Sequence, residues 1–281
     1  MNELKNYGIR INELRKMIKE AHPLVHCITN PISINQCANT ILATGARPIC
    51  AEHPEEAAEV TATAKAVMLN IGNITDARRE SIRISAKEAD RLGIGFVIDI
   101  CGAACLKSRR SFAEQIISIY APSVVKGNYS EIKAIYDMEY KSTGIDADSG
   151  LGLDEADEAA FELARMYQTT VMASGEVDIV TDGHKLFHIY NGSPQLSTVT
   201  GTGCMQGALC AAFLTAAESI DAAVASAAML GICGELAETE KGSGTFMVNL
   251  LDRLSTITDD EVITKLKIST TSSRNESGGI S

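Results

Sequence analysis

The sequence predicts an α/β fold in which helices cover both faces of a mostly parallel sheet. Three observations carry that expectation. Short apolar runs of strand character alternate with helical patterns almost from end to end. The 281 residues are 45% apolar and 22% charged, enough for one sizeable core. No internal repeat is visible, and the one lapse in the alternation, at 137–154, is followed at once by its resumption.

Taken in order, 25–29 reads as the first strand and 33–44 as a helix that Gly45 ends. A short strand at 47–50 leads to a helix starting near His53-Pro54-Glu55-Glu56, with proline in the first turn. The apolar strand 66–71 runs into Gly72-Asn73; 76–92 is a helix, and 95–100 a buried strand with Asp99 late in it. Next come a helix at 111–120, a strand at 123–126 and a helix at 130–136. The Gly, Ser and Asp of 137–154 read as a surface insertion. A helix at 156–167 and a strand at 169–173 follow. Residues 177–181 and 185–190 form a hairpin, its Asp182-Gly183 supplying positive φ angles. Helices are expected at 205–217, 221–239 and near 245–254, while 259–268 is ambiguous. We expect a single domain over 1–268 and a disordered Ser/Thr/Gly-rich tail over 269–281.

Composition narrows the partners. A net charge of −11 argues against a nucleic-acid surface. The densest basic spot, Lys107-Ser108-Arg109-Arg110, reads as a solvated helix start. The first residues lack the apolar core of a signal peptide, and the apolar stretch 222–234 is short and alanine-rich for a bilayer span. A cytoplasmic protein without membrane partners is therefore expected. The eight cysteines show no paired zinc spacing and read as thiols, most of them packing residues.

The chemistry concentrates in Thr198-Val199-Thr200-Gly201-Thr202-Gly203-Cys204-Met205-Gln206-Gly207, which runs into a long helical pattern. A helix start leaves backbone N–H groups unpaired and attracts anions. Gly201 and Gly203 allow close approach of a ligand to the backbone. The same field is expected to favour the thiolate of Cys204, a candidate base. A plain turn with a buried cysteine is the competing reading. No P-loop string occurs, and no Gly-x-Gly-x-x-Gly follows the first strand.

Other residues collect where strands end, the place ligands bind in open α/β sheets. Asp99 needs a partner there, a metal or a helix cap. Asn128 and Glu131 have capping-box spacing, while Glu131 also suits a water-held Mg²⁺. One Asp and one Glu beside an anion cradle fit magnesium-assisted phosphoryl transfer. His26 reads as a satisfied core histidine. Asn30, Asn35 and Asn39 suggest a polar network or a wall facing a small polar ligand.

Together Pro23-Leu24-Val25-His26-Cys27-Ile28-Thr29-Asn30, Val67-Met68-Leu69-Asn70-Ile71-Gly72, Lys126-Gly127-Asn128 with Glu131, Ser174-Gly175-Glu176-Val177-Asp178 and Val199-Thr200-Gly201-Thr202-Gly203-Cys204 resemble hydroxyethylthiazole kinases, of ribokinase-like fold. The likeness runs in order from about Pro23 to Leu254. It implies ATP- and Mg²⁺-dependent phosphorylation of the hydroxyethyl alcohol of a thiazole in thiamine salvage, by a homotrimer with active sites between subunits. It further implies Cys204 at the base position, and Gly201, Thr202 and Gly203 around the moving phosphoryl group. Lys126 and Ser174 fall at nucleotide positions, Asp99 and Glu131 at magnesium-linked ones. Cys50 and Gly201 fall at thiazole positions, with Asn30 beside them.

Three departures stand out. Cys50 replaces Met, Lys126 replaces Arg, and Asp99-Ile100-Cys101-Gly102-Ala103-Ala104-Cys105 replaces Asp-Pro-Val-Gly-Ala-Gly-Ala. Lysine keeps the charge but loses bidentate reach. The altered loop keeps two rivals open: a kinase of another alcohol such as hydroxymethylpyrimidine, and a non-catalytic nucleotide- or thiazole-binding sensor.

Overall fold

The computed structural model describes residues 2–140 and 151–272. The chain begins with α1 (Asn2–Ala21), β1 (Leu24–Ile28), α2 (Ile34–Ala43), β2 (Arg47–Ile49), α3 (Pro54–Thr63) and β3 (Ala66–Asn70). It continues through α4 (Asp76–Leu92), β4 (Phe96–Asp99), α5 (Lys107–Tyr120), β5 (Val124–Asn128) and α6 (Tyr129–Tyr136). Then come α7 (Leu153–Tyr167), β6 (Thr170–Ser174), β7 (Asp178–Thr181) and β8 (Lys185–Ile189). A short 3₁₀ turn, Pro194–Thr198, leads to α8 (Thr202–Leu214), α9 (Ser219–Ala237), α10 (Ser243–Thr256), α11 (Asp259–Lys265) and β9 (Ile268–Ser272).

Among the described residues nine strands make one sheet, ordered β2-β1-β3-β4-β5-β6-β7-β8-β9. The six from β2 to β6 are parallel, and β7, β8 and β9 add on antiparallel. The strand period of two sends alternate side chains to opposite faces. Cys27, Met68, Val97 and Val124 meet α1, α2, α8, α9 and α10 on one face. Ile28, Leu69, Ile98 and Val125 meet α4, α5, α6 and α7 on the other. These three layers place β1 between β2 and β3, so the direction of strand addition reverses at β1. A crevice opens beyond the strand ends at such a reversal.

Local chemistry sets the element ends. Thr75 caps α4 by accepting the Arg78 amide at 3.2 Å, and Gly93 ends the helix in the left-handed region. His53 caps α3 in a capping box with Glu56, Pro54 following as expected. His26 is satisfied at both nitrogens, by Thr61 Oγ1 at 2.9 Å and Ala51 O at 2.8 Å. Helices α8 and α9 are apolar on nearly every side because each lies inside the fold.

Several expectations change. The β7–β8 turn uses three residues, and Gly183 alone of them has positive φ, at +80°. Ser269–Ser272, assigned to a disordered tail, instead continue β9: their backbone completes the β8 ladder, a contribution that apolar patterning does not record. Residues 273–281 and the insertion core 141–150 lie outside the described residues. Helix α1 carried no sequence expectation, yet Ile11, Leu14 and Ile18 bury against the core. Helix α9 runs to 19 residues, long and apolar enough on those grounds alone to cross a membrane, with 78% of that window buried in the fold. At the basic start of α5 Lys107 and Ser108 are exposed as expected, while the half-buried arginines also bind backbone: Arg109 donates to Cys101 O and Arg110 to Ala103 O, Met138 O and Tyr140 O.

Candidate active site at the switch point

Cys204 occupies the first turn of α8, facing the ends of β1 and β3. Its sulfur accepts Asn70 Nδ2 at 3.3 Å and Asn30 Nδ2 at 3.6 Å. Asn70 Oδ1 accepts the Gly72 amide at 2.7 Å, which turns the Asn70 NH₂ toward the sulfur. Gly201 precedes the helix with φ +91°, and a Cβ there would sit 3.2 Å from Ser33 Cβ. No side chain caps α8. Thr202 Oγ1 donates to Leu196 O at 2.9 Å, so that hydroxyl braces the preceding turn and leaves the backbone amides to the crevice.

The thiol contradicts its sequence expectation. Burial first, then the Asp99 and Cys37 charges, push Cys204 up to about 11, overcoming Lys126 and the Ser33 contact. A helix start lowers a thiol pKa where the sulfur stays hydrated; here desolvation dominates. At neutral pH Cys204 is a protonated thiol.

Beside it lies a buried charge cluster. Lys126 Nζ stands 3.4 Å from Asp99 Oδ2, with both side chains almost fully enclosed. The same Nζ would lie 3.2 Å from a Cβ on Gly203, directly below the open helix start. Burial opposes the ammonium, but Asp99, Cys204 and Glu131 together hold its pKa above the usual range. Asp99 is raised by burial against the pull of Lys126, and its Oδ1 lacks a hydrogen-bond partner among the described residues. It is an ion-pair partner, not a helix cap.

Glu131 makes the capping box that its spacing suggested. Oε2 accepts the Asn128 amide at 2.8 Å, and Asn128 Oδ1 accepts the Glu131 amide at 2.8 Å. Oε1 takes the Gly102 amide at 2.6 Å, fastening the altered loop after β4. Burial and the Asp99 charge raise Glu131 to about 7.

A cleft of about 810 Å³ opens beside the helix start, lined by Asn128, Ser174, Gly175, Thr202, Gly203 and Gln206 among others. Ser174 Oγ donates to Gly127 O at 3.3 Å. Thus Asn30, Lys126, Asp99, Glu131, Ser174, Gly201, Thr202, Gly203 and Cys204 gather at one sheet edge. Cys50 is half-buried and, like Cys204, packs against the core cluster on this face of the sheet. The three-amide wall does not form: Asn39 donates to Asn35 at 3.0 Å on the outer side of α2, apart from Asn30.

Sequence reasoning assigned no role to Asn70, Asp178 or Gln206, although the first two stand in the strings that carry the resemblance. Asn70 was legible only as a polar residue ending an apolar strand, and Gln206 only as a polar residue in an apolar helix.

Comparison with known proteins follows this geometry along nearly the whole chain. Residues 15–260 match the Hydroxyethylthiazole kinase family. A hydroxyethylthiazole kinase of Clostridium botulinum (strain Hall) is 44% identical over 261 residues, covering 91% of this chain and 98% of its own. One from Thermoanaerobacter pseudethanolicus is 39% identical over 259 residues, covering 91% and 97%. The solved hydroxyethylthiazole kinase structure from Pyrococcus horikoshii OT3 superposes with a TM-score of 0.86 at 37% identity, over 93% of this chain and 98% of that one. A ribokinase-like superfamily protein from Enterococcus faecalis V583, 13% identical, shares the fold alone, with a TM-score of 0.62 over 87% and 89% of the two chains. Likeness of this extent, over nearly the whole chain, makes the chain a member of the hydroxyethylthiazole kinase family.

Proposed function

We propose that the chain transfers the γ-phosphoryl group of ATP to the hydroxyethyl alcohol of 4-methyl-5-(2-hydroxyethyl)thiazole, the thiamine-salvage reaction. The observation that carries this reading is the uncapped start of α8, placed at the sheet's switch point between the Cys204 thiol and the Lys126 ammonium. The alcohol oxygen forms a bond to the γ-phosphorus as the bond to the β–γ bridging oxygen breaks and ADP leaves. Amides at Thr202 and Gly203 and the Lys126 charge stabilise the phosphoryl group in flight. A loose transition state asks little of a base, because the hydroxyl keeps its proton until late and releases it to solvent once the new oxygen–phosphorus bond has formed. Cys204, protonated at neutral pH, orients that hydroxyl rather than stripping it beforehand.

The acidic residues fit Mg²⁺ held largely through water. Asp99 Oδ1 offers a buried acceptor without a partner, whereas both Glu131 oxygens already take amides. Asp99 would hold the ion and Glu131 would fix the loop beside it. Bound Mg²⁺ would neutralise phosphate charge. We further propose a cytoplasmic homotrimer with sites between subunits. The free thiols fit a reducing compartment, and Ile32 and Leu42, each 55% exposed on the α2 side of the crevice, fit burial by a second copy.

A coupled ADP-release assay with thiazole, hydroxymethylpyrimidine and sugar alcohols tests the reading. Turnover with the thiazole alcohol well above the others is expected. Preference for another alcohol, or nucleotide binding without ADP release, overturns it.

A further inference from the structure

We infer that Asp178 is a positioning residue for the nucleotide, tying the Ser174-Gly175-Glu176 turn to Gln206 of α8 and thereby setting the width of the cleft between them. The inference rests on the kinase reading above and adds a residue which that reading does not use.

The turn leaves β6 at the carboxyl edge and is fastened on every side. Ser174 Oγ donates to Gly127 O. The Tyr129 hydroxyl of α6 donates to Val177 O, and any Cβ on Gly175 would strike the Tyr129 ring. Asp178 Oδ1 accepts the Gly175 amide at 3.1 Å. Its other oxygen, Oδ2, accepts Gln206 Nε2 at 2.6 Å. Gln206 is 3% exposed and stands three residues beyond Gly203 on the same helix. One carboxylate therefore joins the turn on one wall of the cleft to the helix forming the other, and Ser174, Gly175, Asp178, Gly203 and Gln206 all line that cleft.

A carboxylate repels phosphate, so Asp178 serves the nucleotide through the backbone it holds. Burial lifts it to about 6, against the Gly175 and Gln206 hydrogen bonds that favour its charge. A half-buried acid suits the bridge: its two oxygens accept both N–H donors at once. Losing it frees the Gly175 amide and leaves the Gln206 amide enclosed without a partner.

The test is steady-state kinetics and ADP calorimetry on Asp178→Ala, Asp178→Asn, Gln206→Leu and the Ala/Leu double variant. A lost charged hydrogen bond of about 1.5–3 kcal/mol corresponds to a rise of roughly 10–150-fold in KM for ATP. The alcohol KM is expected to stay within about twofold. In Asp178→Asn the Gln206 amide can turn over and present its oxygen, so the bridge survives and KM for ATP returns toward wild type. Gln206→Leu is expected to add little once Asp178 is alanine, as for partners in one interaction. A purely structural role predicts lower melting temperature with both KM values moved alike, or an Asn variant as impaired as Ala; either result overturns the inference. Should Asp178→Ala fail to fold, Gln206→Leu decides: a selective rise in KM for ATP supports the bridge, and an unchanged KM refutes it. If wild type releases no ADP with the thiazole alcohol, the kinase reading fails by itself. Weaker ADP binding by Asp178→Ala would still support the bridge, and unchanged ADP binding would overturn it.

Discussion

Helices α6 and α8 both start at the carboxyl edge of this sheet, and they start in opposite ways. At α6 the chain closes its own terminus: Asn128 and Glu131 cap each other, and the Glu131 carboxylate supplies the anion that a helix start attracts. At α8 the terminus stays open. Gly201 provides no side chain, Thr202 turns its hydroxyl back to Leu196, and the charge beneath is the Lys126 ammonium. The first arrangement quenches the field of the helix; the second strengthens it. A helix start alone therefore says little about function, and what fills it decides.

The largest expected effect probes the open start. Cys204→Ala is expected to lower turnover about 10²–10⁴-fold, because the hydroxyl it orients loses its near-attack geometry, with the melting temperature little changed. Near-full activity in the coupled assay would remove the thiol from the mechanism while leaving the phosphate site standing.

Removing the cation below α8 should be felt in stability too. Lys126→Met leaves Asp99 buried without its partner and is expected to destabilise the fold by about 3–5 kcal/mol in urea titration. Adding Asp99→Asn should recover much of that loss but no activity. Recovery of activity in the double variant would show that the charge serves folding alone.

The closed start carries a pH dependence. Glu131 is raised to about 7, so between its unfolded value near 4.5 and that point the folded chain holds a proton that the unfolded chain releases. Stability contributed by this group is present at low pH and lost as pH rises toward 7, on the order of 3 kcal/mol. Urea titrations of metal-free protein at pH 5 and 7.5 are expected to show that slope flattened in Glu131→Gln. An identical slope in wild type and variant would contradict the assignment.

The smallest effect is Asn128→Ala, which removes the α6 cap and is expected to cost about 1 kcal/mol in the same titration. No loss would mean that Glu131 alone closes this terminus.

Much of this was legible in the sequence where side chains repeat with a period. Helix α4 falls at the residues that its pattern marked, and the strands from β1 to β6 lie within a residue or two of expectation. The Gly201-Thr202-Gly203-Cys204 turn and the Asn128–Glu131 box were both visible as strings. What stayed hidden depends on distant parts of the chain. Cys204 was read from its helix start alone, but the burial that raises it comes from β1, β3 and β4 packed against α8. Asn70 sits in an apolar strand and gains meaning only from the sulfur it faces. Asp178 and Gln206 are 28 positions apart and meet because β7 and α8 converge on one cleft. Strand β9 is held by backbone pairing to β8, which Ser and Thr side chains do not announce.

The central claim is that the open start of α8, not the closed start of α6, receives the transferred phosphoryl group. A crystal structure of the protein with a non-hydrolysable ATP analogue and the thiazole alcohol tests this directly. We expect γ-phosphate oxygens within hydrogen-bond distance of the Thr202 and Gly203 amides and the substrate hydroxyl beside Cys204. A terminal phosphate bound elsewhere, with those amides satisfied by the protein's own groups, would contradict the account.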